Sequence, residues 1–342
     1  MTERLLLADR WLPEIRAARS RIIDIIQPTP LLRHPLLAQE LGLDLWVKHE
    51  NHNPTGAFKV RGGLNLVRSL DAYERSRGVV TASTGNHGQS IAMACQLDGV
   101  KCTVFVPDRN NPEKNAAMRA LGAVVHEGGR DFDEARERCE DVARRTGARY
   151  VHSANEPLLI AGVATYALEI FETLPTVDVI LVPIGGGSGA CGNCLVRTAL
   201  GRNTRVIGIQ AAKADAFARS WHGTERVVAD SAATFAEGMA TRVTFDLTFG
   251  ILRELLDDVI TLTEEELAGG IRLALRTTHN LAEGAGAASL AAAVKLKNEL
   301  AEKNVVAVMS GGNLDAAKLR RILDPRAITA AEPPVYAPHT WS

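Results

Sequence analysis

The chain is organised around the stretch HENHNPTGAFKVRGGLN, residues 49–65, which sets one lysine between a turn and a helix. Residues 54–56, Pro-Thr-Gly, predict a turn, since Pro fixes φ and Gly permits positive φ. Residues 57–67 predict a helix, which puts Lys59 in its first turn beside Phe58. We expect the helix dipole and the aromatic ring to favour the neutral, nucleophilic amine. Taken alone, the stretch fits a surface lysine better, and four stretches downstream reverse that preference.

The composition limits the size of the fold and the classes of partner. A chain of 342 residues forms one large domain or two moderate ones. With 23% charged residues and a net charge of −1, we expect no nucleic-acid partner and no membrane partner. The 46% hydrophobic and 5% aromatic residues are typical of an α/β protein with close helix–sheet packing. Because no apolar run spans a bilayer and the N-terminus lacks a signal-peptide pattern, we expect a cytoplasmic protein.

Five cysteines leave two interpretations open for one pair. Cys191 and Cys194 form a Cys-x-x-Cys pattern that suits a redox pair or half of a zinc site. No second pair completes such a site, so two small residues on one helix is the favoured interpretation. A reducing cytoplasm is the expected compartment.

Alternating strand and helix patterns predict βαβ units and a parallel sheet. The predicted strands are apolar runs at residues 44–48, 78–82, 102–106, 123–126, 179–182, 206–210 and 305–309. Residues 211–256 look rich in loops, and Thr263 with a nearby glutamate predicts a capping box. We predict an α/β fold of open, mostly parallel sheets flanked by helices. Its parts are a large domain of residues 1–77 and 151–326, a small inserted domain of residues 78–150, and a C-terminal tail of residues 327–342.

The glycine-rich run IGGGSGACG, residues 184–192, follows a predicted strand and opens a helix. Backbone N–H groups at a helix N-terminus bind phosphate well. The run also contains G-x-G-x-x-G, but a dinucleotide site needs an acidic residue at the end of the next strand, where Gln210 stands. A single phosphate monoester is therefore the favoured ligand, with a NAD(P)-binding oxidoreductase and a turn that only packs as alternatives.

Two further turns offer polar groups at strand ends. STGNHG, residues 83–88, presents hydroxyls, an amide and helix N-terminal N–H groups that suit a carboxylate. SGGN, residues 310–313, presents a hydroxyl that can donate to a heterocyclic nitrogen. Taken singly, the first turn is explained equally well by a binding role and by an ordinary helix cap. For the second turn, a simple connection from strand to helix is the better explanation. A structural role is favoured for His87.

Together these motifs resemble the fold-type II pyridoxal-phosphate enzymes of the tryptophan synthase β family, and most closely its serine/threonine dehydratase and serine racemase group. The resemblance covers residues 29–323. It rests on five motifs in the family's order: PTGAFKVRG at 54–62, TGNHGQ at 84–89, H-x-x-N-E-P at 152–157, GGGSG at 185–189 and SGGN at 310–313.

The resemblance implies pyridoxal 5′-phosphate as cofactor and assigns roles residue by residue. Lys59 would hold the cofactor as a Schiff base and move the substrate Cα proton, and Thr84 stands at the family's second catalytic position. Ser310 would meet the pyridine nitrogen, where a hydroxyl makes a weaker electron sink than a carboxylate and so favours elimination. The implied cofactor-binding residues are Phe58, Lys59, Asn86, Gly185, Gly186, Gly187, Ser188, Gly189, Gly238, Glu283 and Ser310. The implied ligands of the substrate carboxylate are Ser83, Thr84, Gly85, Asn86 and His87.

The implied activity is a catabolic β-elimination that turns a β-hydroxy-α-amino acid, such as L-threonine or L-serine, into a 2-oxo acid and ammonia. A racemase of the same family is the alternative, as is a dehydratase of hydroxyaspartate, phenylserine or a hydroxyectoine-derived amino acid. A non-catalytic relative is disfavoured by Lys59 in its full motif. A homodimer is expected.

Three positions depart from the family pattern. Thr84 replaces the serine that racemases use as a base, which puts racemisation in doubt. Gln210 and Ala216 replace the Glu and Asp of the family's divalent-metal site. Because hard cations need carboxylate ligands, we expect no metal.

Overall fold

The computed structural model describes residue 8, residues 10–130 and residues 132–324, so the predicted tail at 327–342 lies outside the described residues. Two sheets organise the described chain, one of six strands and one of four. Their paired strands run parallel except β1 (Leu31–Arg33) with β2 (Asp44–His49). This arrangement confirms the predicted α/β class with mostly parallel sheets flanked by helices.

The remaining strands divide between the two sheets. They are β3 (Val79–Ala82), β4 (Cys102–Val106), β5 (Val124–Glu127), β6 (Arg149–Tyr150), β7 (Val179–Pro183), β8 (Arg205–Ala211), β9 (Asp258–Leu262) and β10 (Asn304–Met309). The large sheet has the order β1-β2-β10-β7-β8-β9, and the small sheet has the order β5-β4-β3-β6. The small sheet lies within the predicted small domain, whose boundaries at residues 78–150 stay a prediction.

The α-helices of the described residues cover both sheets. In chain order they are α1 (Leu12–Ile22), α2 (Pro35–Leu41), α3 (Lys59–Arg68), α4 (Ala72–Arg77), α5 (Asn86–Leu97), α6 (Pro112–Ala120), α7 (Phe132–Thr146), α8 (Pro157–Thr173), α9 (Ser188–Ala199), α10 (Ala216–His222), α11 (Asp246–Leu255), α12 (Glu264–Thr278), α13 (Gly284–Lys295) and α14 (Ala316–Leu323). None of the helices in this part of the chain has the length and apolarity that crossing a bilayer requires.

Both faces of the large sheet are buried, as the continuous apolar strands require. Along β7, Val179 and Leu181 belong to the core on one face, while Ile180 and Val182 belong to the core on the other. The first core contains the alanine-rich face of α13 and the second contains α8 and α9. Because helices cover both faces of the sheet, a ligand can reach it only at the ends of the strands, where we expect the functional site.

Residues 211–256 contain more helix than their sequence indicates. Helices α10 and α11 lie in this region, where we expected loops. Both are short, and α11 is held by Ile251, Leu252 and Leu255, which are buried against the second core. Tertiary packing rather than a capping motif stabilises such helices. In contrast, the capping box at Thr263 is present, with Glu266 as its partner.

Candidate active site

The site is built from loops at the carboxyl ends of parallel strands. Residues 50–58 follow β2, residues 184–187 follow β7, and residues 310–313 follow β10. The turn at 83–85 follows β3 of the small sheet. Adjacent parallel strands end at the same edge, so loops distant in sequence meet in one cleft.

Lys59 is the first residue of α3, and the segment before it is fastened to the end of β10. The N–H of Phe58 donates to the Ser310 carbonyl at 3.0 Å, and Ala57 forms an isolated bridge with Gly311. The N–H of Gly312 donates to the Gly56 carbonyl at 2.8 Å. The turn and helix start predicted from Pro-Thr-Gly thus hold Lys59 beside the SGGN turn.

The Lys59 amine lies partly buried between two loops. Its Nζ is 3.0 Å from Ser188 Oγ, 3.4 Å from the Ser153 carbonyl and 5.3 Å from the centre of the Phe58 ring. Burial lowers the pKa of Lys59 to about 8. The nearby Cys191 acts in the opposite direction only when ionised, and burial raises the pKa of that thiol well above its usual value. The ammonium form of Lys59 still predominates at pH 7, but the neutral, nucleophilic fraction is far larger than for an ordinary lysine.

The glycine-rich loop forms a cradle at the start of α9. Gly187 adopts φ 92°, a conformation that favours glycine, and immediately precedes the helix. A Cβ at Gly185 would lie 2.0 Å from the Gly238 carbonyl oxygen, so only glycine fits against that neighbouring turn. The first-turn N–H groups of α9 have no helical carbonyl partner and attract an anion.

The turn at residues 83–85 presents a second helix N-terminus. Ser83 Oγ accepts hydrogen bonds from the N–H groups of Gly85 and Gly88, at 3.2 and 2.8 Å. This cap leaves the first-turn N–H groups of Asn86 and His87 without helical carbonyl partners. A carboxylate can use those donors together with the Ser83 hydroxyl hydrogen. Thr84 lies half-buried on the same turn.

The His87 side chain points into the small sheet rather than towards an anion. Its Nε2 is 2.9 Å from Thr81 Oγ1, and that hydroxyl donates its single proton to the Val151 carbonyl at 2.8 Å. Nε2 must then carry a proton and donate to Thr81. Burial, with the charge of Lys59, lowers the pKa of His87 to about 3. Only its backbone N–H is placed to serve the predicted carboxylate site.

A chain of amides joins the carboxylate turn to the SGGN turn. Asn86 Nδ2 donates to Glu283 Oε1 at 2.6 Å, and Asn313 Nδ2 donates to Asn86 Oδ1 at 2.8 Å. Burial raises the pKa of Glu283, although the charge of Lys114 and the bond from Asn86 oppose this. Sequence reasoning singled out Asn86 and Glu283 separately but not their contact, and it gave no role to the Asn313 amide.

Behind Lys59 lies a buried ion network of four residues: Lys48, Glu50, Arg61 and Glu169. Arg61 bonds Glu50 at 2.7 Å and Glu169 at 2.6 Å, and Lys48 bonds Glu169 at 2.5 Å. Burial lowers the pKa of Lys48. Burial also disfavours the charges of Glu50 and Arg61, but Arg61 and Lys48 lower the pKa of Glu50, while Glu50 and Glu169 raise the pKa of Arg61. Two positive and two negative charges balance. Arg61 is two residues from Lys59, so the network anchors the helix that carries the amine.

The predicted absence of a metal site depends on residues 210 and 216. Gln210 is buried, and its Oε1 accepts a hydrogen bond from the Ala218 N–H at 2.8 Å. Ala216 begins α10 and has no ligand atom in its side chain. Across residues 10–130 and 132–324, no group of three or more His, Cys, Asp or Glu side chains is placed to hold a metal ion.

The cysteines are buried and are not joined by disulfides. Cys191 and Cys194 both lie in α9 and face the second core. Burial raises the pKa of both thiols, which makes each a poor nucleophile and a poor metal ligand. Their positions support two small residues packed on one helix.

The chain is similar to known proteins over most of its length. The model of the family described as pyridoxal-phosphate dependent enzyme matches residues 22–311. The L-threonine ammonia-lyase of Thermotoga maritima is 36% identical over 313 residues, which are 92% of this chain and 78% of that protein. Both findings agree with the resemblance read from the five motifs.

Two solved structures have the same fold. The processed threonine deaminase isoform 2 from Solanum lycopersicum gives a TM-score of 0.89 at 28% identity, covering 95% of this chain and 94% of that one. Maize serine racemase gives a TM-score of 0.86 at 29% identity, covering 91% of this chain and 96% of that one.

Proposed function

Since this chain belongs to the family of pyridoxal-phosphate dependent enzymes, we propose that it is an ammonia-lyase acting on L-threonine and L-serine. The proposal depends most on one contact: the partly buried amine of Lys59 lies 3.0 Å from Ser188, at the mouth of the glycine cradle. Similarity to the Thermotoga L-threonine ammonia-lyase supports the choice of substrate and of reaction.

The residues around Lys59 fit pyridoxal phosphate. Its aldehyde needs an amine, and Lys59 has a pKa of about 8. The cofactor phosphate needs an anion site, and the glycine-rich loop offers one, because a Cβ at Gly185 would lie 2.0 Å from the Gly238 carbonyl oxygen and the backbone there is open to a ligand only with glycine. Lys59 would hold the aldehyde, residues 185–189 the phosphate, and Phe58, Asn86, Gly238, Glu283 and Ser310 the ring. When bound, the cofactor supplies an electron sink for the carbanion at the substrate Cα.

The protein's own groups supply binding and proton transfer. The N–H groups of Asn86 and His87, with the Ser83 hydroxyl, would orient the substrate carboxylate on the small-sheet side of the cleft. Lys59 Nζ, on the opposite side, would remove the Cα proton, which requires the neutral amine that burial favours. Loss of that proton and of the β-hydroxyl amounts to loss of water. Hydrolysis of the resulting enamine then gives a 2-oxo acid and ammonia.

Racemisation is the second candidate activity, and the similarity to maize serine racemase favours it. It requires a group that returns the proton to the other face of Cα, and Thr84 is the residue we assign there. The χ1 angle of threonine is restricted, so its hydroxyl has few orientations. We therefore propose that elimination predominates and that little D-serine accumulates beside pyruvate in a chiral assay of L-serine.

The variant Lys59→Ala tests the central assignment. The holoenzyme and the variant are incubated with L-threonine and with L-serine, and 2-oxo acid and ammonia are measured. We expect the variant to lose at least about a hundredfold in activity, the effect of removing a general base. Retention of most activity with an unchanged melting temperature would contradict the role of Lys59. A wild-type enzyme that forms neither product would overturn the proposed function.

We also propose that elimination needs no divalent cation. The absence of acidic side chains at Gln210 and Ala216 supports this, because Mg²⁺ binds chiefly to carboxylates and water. Dialysis against EDTA should leave the rate of pyruvate formation from L-serine unchanged. A rate that falls severalfold on chelation and returns with added Mg²⁺ would contradict the proposal.

A cytoplasmic homodimer completes the proposal. Free, buried cysteines fit a reducing compartment. Leu32 in the edge strand β1 and Leu36 in α2 are 46% and 50% exposed, and a second copy can cover the surface that they form. Sedimentation equilibrium should give twice the chain mass of 36.8 kDa, whereas a single-chain mass at micromolar concentration would contradict a dimer.

A further inference from the structure

A lysine that the family motifs do not include lies against the carboxylate turn. Lys114 belongs to α6, and its side chain is buried over Gly85. A Cβ built on Gly85 would lie 3.2 Å from Lys114 Cδ and 3.4 Å from Lys114 Nζ. The ammonium therefore approaches the backbone whose neighbouring N–H groups are free to bind an anion. A larger residue at position 85 would push it away.

Lys114 is held there by an ionic contact that crosses between the two sheets. Glu237 pairs with Lys114 through one carboxylate oxygen and with Lys318 through the other. Lys318 also pairs with Asp315 at 3.0 Å, and Asp315 accepts a hydrogen bond from Asn111 at 3.1 Å. We call Lys114, Glu237, Asp315 and Lys318 the cleft bridge. Lys114 and Asn111 come from the small-sheet side, and the other residues come from the large-sheet side.

The charges of the cleft bridge leave Lys114 only partly neutralised. Burial works against ionised Glu237, yet Lys114 and Lys318 hold its pKa below the usual value. Lys318 has a second anion in Asp315, whereas Lys114 shares the charge of Glu237 with Lys318. The other carboxyl group that senses Lys114 is that of Glu283, and burial raises its pKa and so favours its uncharged form. Lys114 can therefore accept a second anionic partner on its Gly85 side.

Glu237 is itself placed by the cofactor cradle. It begins the short 3-10 helix Glu237–Met239, and the Gly238 carbonyl in that turn packs directly against Gly185. A shift of the cradle would therefore move Glu237 and, through it, Lys114. The carboxylate turn and the phosphate cradle are coupled by one glutamate.

We propose that Lys114 binds the α-carboxylate of the amino-acid substrate together with the N–H groups of the carboxylate turn, and that Glu237 is the positioning residue that holds Lys114 for this contact. The inference rests on the proposed function for the identity of the substrate. It adds a charged contact to a site otherwise formed by backbone N–H groups and the Ser83 hydroxyl.

The test compares L-threonine with L-threoninamide, which lacks the carboxylate charge. Lys114→Met should lower kcat/KM for L-threonine about tenfold to a hundredfold, mainly through KM, because a hydrogen bond to a charged group is lost. The same variant should change kcat/KM for the amide less than twofold. A purely structural role for Lys114 would lower both values equally, and that result would overturn the proposal.

Control variants separate Lys114 from the rest of the cleft bridge. Lys318→Met leaves the charge of Glu237 to Lys114 alone, so it should lower the acid-to-amide ratio, but by less than Lys114→Met does. Glu237→Gln should lower the ratio less than Lys114→Met does, and it should add nothing in the double variant, since Glu237 acts through Lys114. An additive double variant would contradict the positioning role.

Failure of the proposed ammonia-lyase function can be distinguished from failure of the proposal for Lys114. A wild-type holoenzyme that produces no 2-oxo acid would reject that function alone. Calorimetric binding of the same two ligands to wild type and Lys114→Met would still decide on Lys114. Weaker binding of L-threonine but not of the amide supports the proposal, and equal binding by both proteins overturns it.

Discussion

The buried ion network and the cleft bridge have the same composition and different surroundings. Each sets two lysines or arginines against two carboxylates, and each joins segments far apart in sequence. Side chains of the network are at most 5% exposed, whereas Lys318 and Glu237 of the bridge are 27% and 33% exposed. Water competes for the bridge but not for the network. Ion pairs of the same kind thus form a fixed anchor when they are buried and a contact that can open when solvent reaches them.

The two positions suit two tasks. The network lies behind Lys59 and must hold the amine in one place, whatever the state of the cleft. The bridge joins the two sides of the cleft beside Gly85, where we propose that the substrate carboxylate binds, so a contact that can open suits that position. Arg61 and Lys114 are both cations near the site, but only Lys114 has a partner that solvent can replace.

The largest expected effect breaks the network. Glu169→Gln leaves Arg61 and Lys48 short of an anion in the interior, which should cost about 3–5 kcal/mol of unfolding free energy. Its control is Glu172→Gln, one turn along the same helix, where the ion pair with Arg19 has a 54% exposed carboxylate. The control should cost about 0–1 kcal/mol. Urea unfolding of the holoenzymes measures both, and equal losses would remove the distinction between anchor and surface pair.

Two buried histidines, His49 and His87, show the effect of burial where no opposite charge compensates it. Burial, with the charge of Lys59, lowers the pKa of His87 to about 3, and burial, with its neighbours His52 and His34, lowers that of His49 to about 4. The unfolded chain binds protons below pH 6.5 and the folded chain does not, so stability is present above that pH and is lost as pH falls towards the folded pKa values. When the pH falls from 7 to 5, each of these histidines should lower the free energy of unfolding by about 2 kcal/mol.

His87→Gln isolates this contribution while keeping a donor for Thr81. When the pH falls from 7 to 5, the free energy of unfolding measured in urea should fall by about 2 kcal/mol less for the variant than for the wild type. His126→Gln, at an exposed position, should follow the wild-type curve. If the stability of the His87→Gln variant showed the same pH dependence as the wild type, the fold would not be keeping His87 neutral.

The smallest effect concerns salt. A double-mutant cycle of Lys114→Met with Glu237→Gln, measured by urea unfolding, should give a coupling in the free energy of unfolding of about 1 kcal/mol or less in dilute buffer. That energy should fall further in 0.5 M NaCl, about five times the ionic strength at which the screening length is ~10 Å. A cycle of Arg61→Met with Glu169→Gln should not change with salt. If both coupling energies fell equally with salt, the buried ion network and the cleft bridge would be equally accessible to solvent, which would contradict the prediction.

Much of the fold could be predicted because it depends on local rules. The strand at 102–106 and the helix at 157–173 have the predicted bounds, since apolar runs and flanking prolines mark them. Helices α10 and α11 were missed because packing against distant residues, not their own sequence, stabilises them. The site motifs were found for a local reason as well: glycine at 187 is needed for a positive φ wherever the rest of the chain lies.

The sequence alone determined that Lys59 follows a turn, begins a helix and shares the chain with a glycine-rich anion site, because turn geometry and hydrophobic periodicity depend on near neighbours. Only the tertiary structure decided which charges meet. Arg61 and Glu169 are 108 residues apart, and Lys114 and Glu237 are 123 apart. The free energy of such pairs depends on burial and on distances of a few ångström, and both arise only when the parallel strands bring their ends together.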